Sequence, residues 1–260
     1  MSRRTVDILG LPLELSHVPS PPGAPTLVFL HEALGSLAQW RDFPERLAAA
    51  TGLGWMAYSR QGHGQSAPFG RKRDFDYLDH EAIDVLPAVL RATGIDRPIL
   101  FGHSDGATIA LIHAASTCQP VEGLIIEAPH ILVEDLTADS VRATVERART
   151  GDLLDRLGKY HAQPAPLFDA WHRVWLDPGF AGWSIEHRLS AIVTPILQFQ
   201  GGRDPYGTLC HVEAIAERSC GPVETVIFEN GGHIPHLEAP DRVIEASRAF
   251  IAELGGDPQP

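Results

Sequence analysis

Three residues of types that can act together in nucleophilic catalysis occur along the chain in the order Ser104, Asp204 and His233. A serine hydroxyl is a poor nucleophile at neutral pH, so it needs a base such as a neutral imidazole to take its proton. The imidazole needs a carboxylate at its other ring nitrogen to fix its tautomer and stabilise the imidazolium. We therefore predict Ser104 as nucleophile, His233 as general base and acid, and Asp204 as the carboxylate that orients the histidine.

The surroundings of Ser104 favour the role of nucleophile. Residues 102–106 form a Gly-x-Ser-x-Gly motif between an apolar strand-type run at 99–101 and an apolar helix-type run at 107–115. Glycines two residues either side of a serine let a strand turn into a helix almost at once, and bulk at either glycine would clash. The turn also places the hydroxyl at a helix N-terminus, where free N–H groups stabilise an oxyanion. The motif alone is a modest signal, but the strand, turn and helix around it support it.

The other two positions have rivals in the sequence. Asp204 follows a predicted strand, yet an aspartate there is also a common loop or helix cap. Glu127, at the end of an earlier strand, is a second candidate for the carboxylate, and His236 competes with His233 as the base. Two further histidines flank the predicted site, and we interpret both as structural hydrogen-bonding residues: His31 and His103.

The elements that must position these residues alternate between strand-type and helix-type patterns. Buried strands are predicted at residues 26–30, 54–58, 99–102, 123–127, 195–200 and 223–228, after a hairpin at 5–16. This alternation predicts an α/β fold with a mostly parallel sheet covered on both faces. Ligands of such sheets bind beyond the carboxyl ends of the strands, where the candidate residues fall. One connecting segment, residues 77–93, is predicted as an amphipathic helix with Ile83, Leu86 and Leu90 on one face.

The alternation is interrupted between residues 128 and 189, where helix-type patterns follow one another without a strand. We predict a helical cap segment at residues 129–189, inserted into a core formed by residues 1–128 and 190–260. The cap segment carries three of the five tryptophans, Trp171, Trp175 and Trp183. Together with Leu167, Phe168 and Leu176, they either line an apolar pocket or hold the cap to the core.

Composition narrows the range of partners. The chain has 260 residues, a formal charge of −12 and 44% hydrophobic residues, as expected of a globular protein with a substantial core. The acidic balance argues against nucleic acid or an anionic membrane as a partner. Neither a signal-peptide core nor a membrane-spanning run is recognisable. No pair of the three cysteines, Cys118, Cys210 and Cys220, has metal-ligand or redox spacing, so we expect reduced thiols in a cytoplasmic protein. We expect no metal and no cofactor. A homodimer stays open.

At this point the chain resembles the α/β-hydrolase fold superfamily over nearly its whole length. Four motifs occur in the family's order: the oxyanion loop at residues 30–36, a glycine-rich loop at 59–66, the nucleophile elbow at 102–106, and a histidine segment at 232–240. The resemblance implies an α/β-hydrolase fold with an inserted helical lid. It also implies the catalytic roles given above and an oxyanion hole formed by the backbone N–H groups of Ala33 and Asp105.

The chain departs from the family pattern at two positions. Glu32 stands where the family usually has glycine, so Glu32 or Leu34 stays an alternative to Ala33 as the source of the second oxyanion amide. A carboxylate there would also line the pocket and discourage anionic substrates. Ser59 replaces the family's aspartate, which implies a changed structural hydrogen bond rather than changed chemistry.

The predicted function is hydrolysis of a carboxylic ester of a small, largely apolar substrate through an acyl-enzyme, without a cofactor. One alternative is carbon–carbon bond hydrolysis of a ring-cleavage β-diketone, which uses the same residues. An arginine placed for a substrate carboxylate would favour it, and Arg173 and Arg188 are candidates. Cofactor-free perhydrolase or haloperoxidase activity is a further alternative. A ligand-binding receptor on a hydrolase scaffold is the rival from a different class.

Overall fold

The computed structural model describes residues 3–70, 72–116 and 119–255. The reduced thiol predicted for Cys118 lies outside the described residues. Within these ranges eight strands form one sheet in the spatial order β1-β2-β4-β3-β5-β6-β7-β8. The strands are β1 Arg3–Ile8, β2 Leu11–Val18, β3 Thr26–Leu30, β4 Gly54–Tyr58, β5 Pro98–His103, β6 Gly123–Glu127, β7 Ile196–Gly201 and β8 Val223–Phe228.

The predicted mostly parallel sheet is confirmed. The hairpin β1–β2 and the pair β2–β4 are antiparallel, and every other neighbouring pair of strands is parallel. The helices are α1 Phe43–Thr51, α2 Tyr77–His80, α3 Leu86–Thr93, α4 Asp105–Ser116, α5 Asp135–Thr150, α6 Leu153–Gly158, α7 Pro164–Trp175, α8 Cys210–Arg218, α9 Pro235–Glu238 and α10 Pro240–Leu254.

Strands β3 to β6 are buried along their whole length because helices cover both faces of the sheet. Successive side chains of a strand point to opposite faces, so each strand contributes to two hydrophobic clusters. Leu27 and Phe29 belong to the cluster that includes residues of α1 and α10. Val28 and Leu30 belong to the cluster that includes residues of α3 and α4.

The helix predicted over residues 77–93 has the predicted extent, but its middle turn is not α-helical. A π-helical turn at Glu81–Val85 separates α2 from α3. A π turn inserts an extra residue, which changes the phase of the side chains relative to an α-helix. Ile83 is consequently 40% exposed, although it was predicted to share the buried face with Leu86 and Leu90.

Helices α5, α6 and α7 lie between β6 and β7, in the segment predicted as a cap. An isolated antiparallel bridge between Leu132 and Ser184 joins the two ends of this segment. Residues of α5 and α7, including Val141 and Trp171, belong to the same hydrophobic cluster as core residues such as Leu100. The division of the chain into core and cap segment therefore stays a prediction.

Candidate active site

Ser104 lies between the last residue of β5 and the first residue of α4, as the sequence predicted for the elbow. Its φ angle is +53°, in the left-handed region that non-glycine residues rarely adopt. The N–H of Ser104 donates to the carbonyl oxygen of Glu127 at 2.9 Å, and its own carbonyl accepts from the N–H of Thr108 at 3.0 Å. These bonds hold the strained turn between strand and helix in place.

The two glycines of the elbow are required by close backbone approach. A Cβ at Gly102 would overlap the carbonyl oxygen of Gly106, and a Cβ at Gly106 would overlap the carbonyl oxygen of Leu30. Any side chain at either position would push β3, β5 and α4 apart. The predicted clash at both glycines thus has specific partners in the structure.

Asp204 and His233 are joined directly. Nδ1 of His233 lies 2.9 Å from Oδ1 and 2.8 Å from Oδ2 of Asp204. The carboxylate also accepts the side-chain amide of Gln200 at 2.9 Å and the backbone N–H of Tyr206 at 2.8 Å. Burial raises the pKa of Asp204, but the hydrogen bond and charge of His233 outweigh it and hold the pKa below its ordinary value. Because Nδ1 of His233 donates to this carboxylate, Nε2 is left as the basic nitrogen.

The rival residues form a pair of their own. Nδ1 of His236 lies 2.6 Å from Oε2 of Glu127, and both side chains are buried. The structure therefore separates the two carboxylate–histidine pairs that the sequence left open. Only the pair formed by Asp204 and His233 includes a residue that lines a cavity with Ser104.

Ser104 and His233 share a cavity of about 210 Å³. Among the described residues, no hydrogen bond joins the Ser104 hydroxyl to the His233 ring. The wall combines residues of the core with residues of α5 and α7: Glu32, Ala33, Leu34, Ser104, Asp105, His130, Thr137, Val141, Trp171, Trp175, Tyr206, His233 and Ile234. Of the apolar cap residues considered from the sequence, Trp171 and Trp175 line this cavity.

The residues considered for the oxyanion hole all lie at this cavity. Asp105 is the first residue of α4, so its N–H has no partner within the helix. Ala33, Glu32 and Leu34 all belong to the cavity wall. The choice of Ala33 as the source of the second amide stays a prediction at this stage.

Glu32 brings a negative charge to the cavity. Its Oε2 lies 3.6 Å from Nδ1 of His103, whose Nε2 donates to the carbonyl oxygen of His233 at 2.8 Å. Burial raises the pKa of Glu32, but His103 outweighs burial and lowers the pKa to about 2. Burial lowers the pKa of His103, and Glu32 outweighs it in turn, so that pKa lies above its ordinary value. A Cβ at Gly35 would overlap the Glu32 carboxylate, so this glycine makes room for the charge.

A second cavity of about 280 Å³ shares Glu32 and Ile234 with the first and is rich in cations. We call it the cationic cleft and define it by three of its lining residues, Arg41, Arg156 and Lys159. None of these three side chains forms an ion pair with another described residue. Sequence reasoning missed the cleft, because its cations come from the loop before α1 and from two positions around the end of α6.

The arginines singled out in the sequence lie elsewhere. Nε of Arg173 pairs with Asp169 on its own helix at 2.8 Å. Nη2 of Arg188 pairs with Asp79 at 2.6 Å. Neither arginine lines the cavity that contains Ser104.

Ser59 has a structural role, as its position in the glycine-rich loop implied. Its hydroxyl donates to Oε2 of Glu14 at 2.9 Å and accepts the N–H of Leu37 at 3.0 Å. It thereby connects β2, the end of β4 and the start of the 3-10 helix Leu37–Trp40.

One group of potential metal ligands occurs among the described residues: Glu134, Cys210 and His211. The N–H of Ile131 donates to Nδ1 of His211 at 3.3 Å, so the proton of the neutral ring is on Nε2. Nε2 lies 2.8 Å from Oε2 of Glu134, which also accepts the N–H of Thr208 at 2.8 Å. Hydrogen bonds thus occupy both nitrogens of His211, and the donor set does not fit a metal well.

Comparison with known proteins agrees with this fold. Residues 27–246 match the profile of the alpha/beta hydrolase family, and the chain belongs to that family. It is 29% identical over 178 residues to 2-succinyl-6-hydroxy-2,4-cyclohexadiene-1-carboxylate synthase of Salmonella paratyphi C. That match covers 68% of this chain and 63% of the length of the synthase.

Among solved structures, a bacterial membrane phospholipase A is similar with a TM-score of 0.79 and 19% identity, over 98% of this chain and 87% of that one. An esterase from Exiguobacterium antarcticum is similar with a TM-score of 0.73 and 17% identity, over 95% and 98% of the two chains. These likenesses support the fold. No helix within the described ranges has the length and apolar character needed to cross a bilayer.

Proposed function

We propose that this protein hydrolyses a carboxylic ester of a small, largely apolar substrate through an acyl-enzyme. The observation that carries the proposal is that Ser104 and the Asp204-bound His233 line one cavity. The serine and histidine belong to loops that follow different strands and are 129 positions apart in sequence. A strained serine at a helix N-terminus, beside a histidine of defined tautomer, is the arrangement that acyl transfer requires.

The mechanism follows from these positions. Nε2 of His233 takes the hydroxyl proton as Ser104 attacks the ester carbonyl, and Asp204 stabilises the imidazolium. The backbone N–H groups of Ala33 and Asp105 stabilise the oxyanion of the tetrahedral intermediate. His233 then gives the proton to the leaving alcohol, and later activates the water that cleaves the acyl-enzyme. The serine–histidine hydrogen bond forms when substrate binds, since such bonds are often long without substrate.

The cavity supports a small, uncharged substrate. Its volume is about 210 Å³, and Val141, Trp171 and Trp175 supply apolar surface. The ionised Glu32 carboxylate would repel a carboxylate held near the scissile carbonyl. No described arginine or lysine lines this cavity to offset that repulsion.

We extend the proposal to partners and location. A formal charge of −12 favours a small molecule over nucleic acid or an anionic membrane as the binding partner. We propose a cytoplasmic enzyme on the basis of the cysteine spacing, with a homodimer left open.

The proposal is tested with p-nitrophenyl acetate and butyrate. Ser104→Ala is expected to lower kcat by ~10³-fold or more, because the nucleophile is removed. The matched control is Ser247→Ala, a buried serine on α10 away from the cavity, which should keep near wild-type kcat. Equal rates in wild type and Ser104→Ala would refute the proposal. Ligand binding without turnover by wild type would favour the receptor alternative.

A second candidate is carbon–carbon bond hydrolysis of a ring-cleavage β-diketone that carries a carboxylate. The cationic cleft favours it, because three cations that form no ion pair within the described part of the chain lie beside the cavity of Ser104. The name of the Salmonella relative describes a product with carboxylate groups, which is consistent with an anionic substrate. The same serine, histidine and aspartate would serve this reaction.

Charge-removing variants of the cleft distinguish the two candidates. Arg156→Gln and Lys159→Gln should raise KM for a carboxylate-bearing β-diketone and leave p-nitrophenyl butyrate unaffected if the second candidate is right. Arg173→Gln is the control, since Arg173 is a cap arginine outside both cavities. Turnover of neutral esters alone, with no effect of the cleft variants on any substrate, would exclude carbon–carbon bond hydrolysis and support ester hydrolysis.

A further inference from the structure

We propose that Arg60 is a positioning residue that holds both backbone donors of the oxyanion hole in place. The inference rests on the proposed function, because it deepens the account of the same site. Arg60 follows β4 in the glycine-rich loop and does not line the cavity of Ser104.

Arg60 is 2% exposed and contacts two loops of the site. Nη2 donates to the carbonyl oxygen of Glu32 at 2.8 Å and to that of His31 at 3.2 Å. Nη1 lies 3.3 Å from Oδ2 of Asp105, whose side chain is also buried. One guanidinium therefore joins the loop after β3 to the first residue of α4.

The bond to Glu32 orients the N–H of Ala33. The carbonyl of Glu32 and the N–H of Ala33 belong to the same peptide group, which is rigid and planar. No peptide bond among the described residues is cis, so this carbonyl and this N–H point in opposite directions. Arg60 binds this carbonyl oxygen at 2.8 Å, beside Nδ1 of His31 at 2.7 Å, and so helps to direct the Ala33 N–H to the other side.

The bond to Asp105 anchors the second donor. The Asp105 carboxylate accepts Arg60 on Oδ2 and the Tyr77 hydroxyl at 3.1 Å from each of its oxygens. These bonds fix the side chain of the residue whose backbone N–H is the second donor. Displacing Arg60 would free the Glu32 carbonyl from its guanidinium and leave Asp105 with Tyr77 alone, although neither donor belongs to Arg60 itself.

The same network reaches the cap segment. Nε1 of Trp175 donates to the Tyr77 hydroxyl at 3.2 Å, and Trp175 lines the cavity of Ser104. A chain of hydrogen bonds thus runs from the cavity wall in α7 through Tyr77 and Asp105 to Arg60. The position of the cap tryptophan and the geometry of the oxyanion hole are set by one group of side chains.

A simpler role for Arg60 is neutralisation of the buried Asp105 carboxylate. Removing one partner of a buried ion pair leaves an uncompensated charge and destabilises the fold. That effect must be separated from positioning, so the experiment includes a variant from which both charges are removed. The Arg60→Met/Asp105→Asn double variant leaves no unpaired carboxylate at position 105. It still lacks the bonds from Arg60 to the Glu32 and His31 carbonyls.

The experiment compares Arg60→Met, Arg60→Lys and the Arg60→Met/Asp105→Asn double variant with wild type. Measured quantities are kcat and KM for p-nitrophenyl butyrate, the affinity for an alkyl boronic acid whose serine adduct is tetrahedral and anionic, and Tm. The control is Arg188→Met, which removes the half-buried partner of Asp79 outside the cavity.

We expect the double variant to regain the Tm that Arg60→Met loses, with kcat still ~10²-fold below wild type, the cost typical of one lost oxyanion donor. KM should stay near the wild-type value and boronic acid affinity should fall with kcat. Arg60→Lys should recover part of kcat, because an ammonium reaches one carbonyl but not the full set of partners.

Recovery of kcat together with Tm in the double variant would overturn the inference in favour of neutralisation. A rise in KM with unchanged kcat in the Arg60 variants would overturn the inference as well. Failure of the proposed function is distinguishable, since Ser104→Ala would then retain the wild-type rate whatever the Arg60 variants do.

Discussion

Asp204, which binds the cavity residue His233, and Glu32, which lines the cavity, both have a lowered pKa, yet they bind different histidines. Asp204 holds Nδ1 of His233, so it sets the tautomer of the base. Glu32 pairs with His103, which binds the backbone carbonyl of His233 rather than its ring. The first pair is assigned to catalysis, and the second stabilises the arrangement of the loops around it.

Replacing Asp204 by asparagine tests the assignment of the catalytic carboxylate. The amide nitrogen of Asp204→Asn would donate to Nδ1 of His233, which moves the ring proton to Nε2 and removes the base. We expect kcat for p-nitrophenyl butyrate to fall by ~10⁴-fold with little change in fold. Glu127→Gln, at the other carboxylate–histidine pair, should lower Tm but keep most of kcat; the reverse ranking would favour the Glu127–His236 pair.

The pair formed by Glu32 and His103 should make stability depend on pH in a bounded window. The ordinary pKa of Glu32 is 4.5 and falls to about 2 in the fold, so its contribution is present above pH 4.5 and is lost toward pH 2. The pKa of His103 is raised above its ordinary 6.5, so its contribution is present below pH 6.5 and is lost as pH rises through the raised value.

Glu32→Gln should therefore be less stable than wild type by about 2 kcal/mol at most, with the largest difference between pH 4.5 and 6.5. Denaturant unfolding over a pH series measures the difference. Glu146→Gln, which removes an exposed ion pair on α5, is the control and should show a small difference. A pH-independent difference for Glu32→Gln would contradict the pairing.

At the scale of elements, helices α5 and α7 form one wall of the cavity while loops after the strands form the other. Trp171 and Trp175 lie on α7 and reach the cavity, whereas Trp183 stacks on Phe180 with 5.3 Å between ring centroids. The tryptophans of one segment thus divide between lining the cavity and packing, which the sequence had left open.

Trp171→Leu should widen the cavity and shift preference toward longer acyl chains. We expect the ratio of kcat/KM for p-nitrophenyl octanoate over acetate to rise by about tenfold, the size expected for one to two methylene groups in an apolar pocket. Trp183→Leu is the matched control, since that tryptophan does not line the cavity. An equal change in both variants would assign the effect to loosened packing.

At the scale of the whole molecule, one hydrophobic cluster extends from the sheet into the cap segment. It contains Leu100 and Ile126 of the sheet together with Val141, Trp171 and Trp175 of α5 and α7. An element that shares buried surface with the core loses that surface when it opens, so separate opening is costly.

Hydrogen exchange tests whether core and cap segment open together. We expect the most protected amides of α7 and of β5 to exchange with similar opening free energies, close to that of global unfolding. A much lower opening free energy for α7 would instead support the cap as a separable unit, as the sequence-based boundaries at residues 129–189 suggest.

The amino-acid sequence by itself determined the features that depend on near neighbours along the chain. The α/β fold follows from the alternation of strand and helix patterns. The elbow follows from Gly102 and Gly106, because the steric demand of a tight strand-to-helix turn is local. The exposure of Ile83 escaped prediction because a single π turn changes the phase of a helix without a distinct sequence signal.

Tertiary structure decided which groups become partners. The contact of His233 with Asp204 spans 29 positions, that of His236 with Glu127 spans 109, and that of Arg60 with Asp105 spans 45. Each depends on which strands are neighbours in the sheet and how far each loop extends beyond it. Tertiary structure also decided the lowered pKa of Glu32 and the grouping of the cations in the cleft. Burial and distance to other charges set the electrostatics of a group, and the residue type alone gives neither burial nor distance.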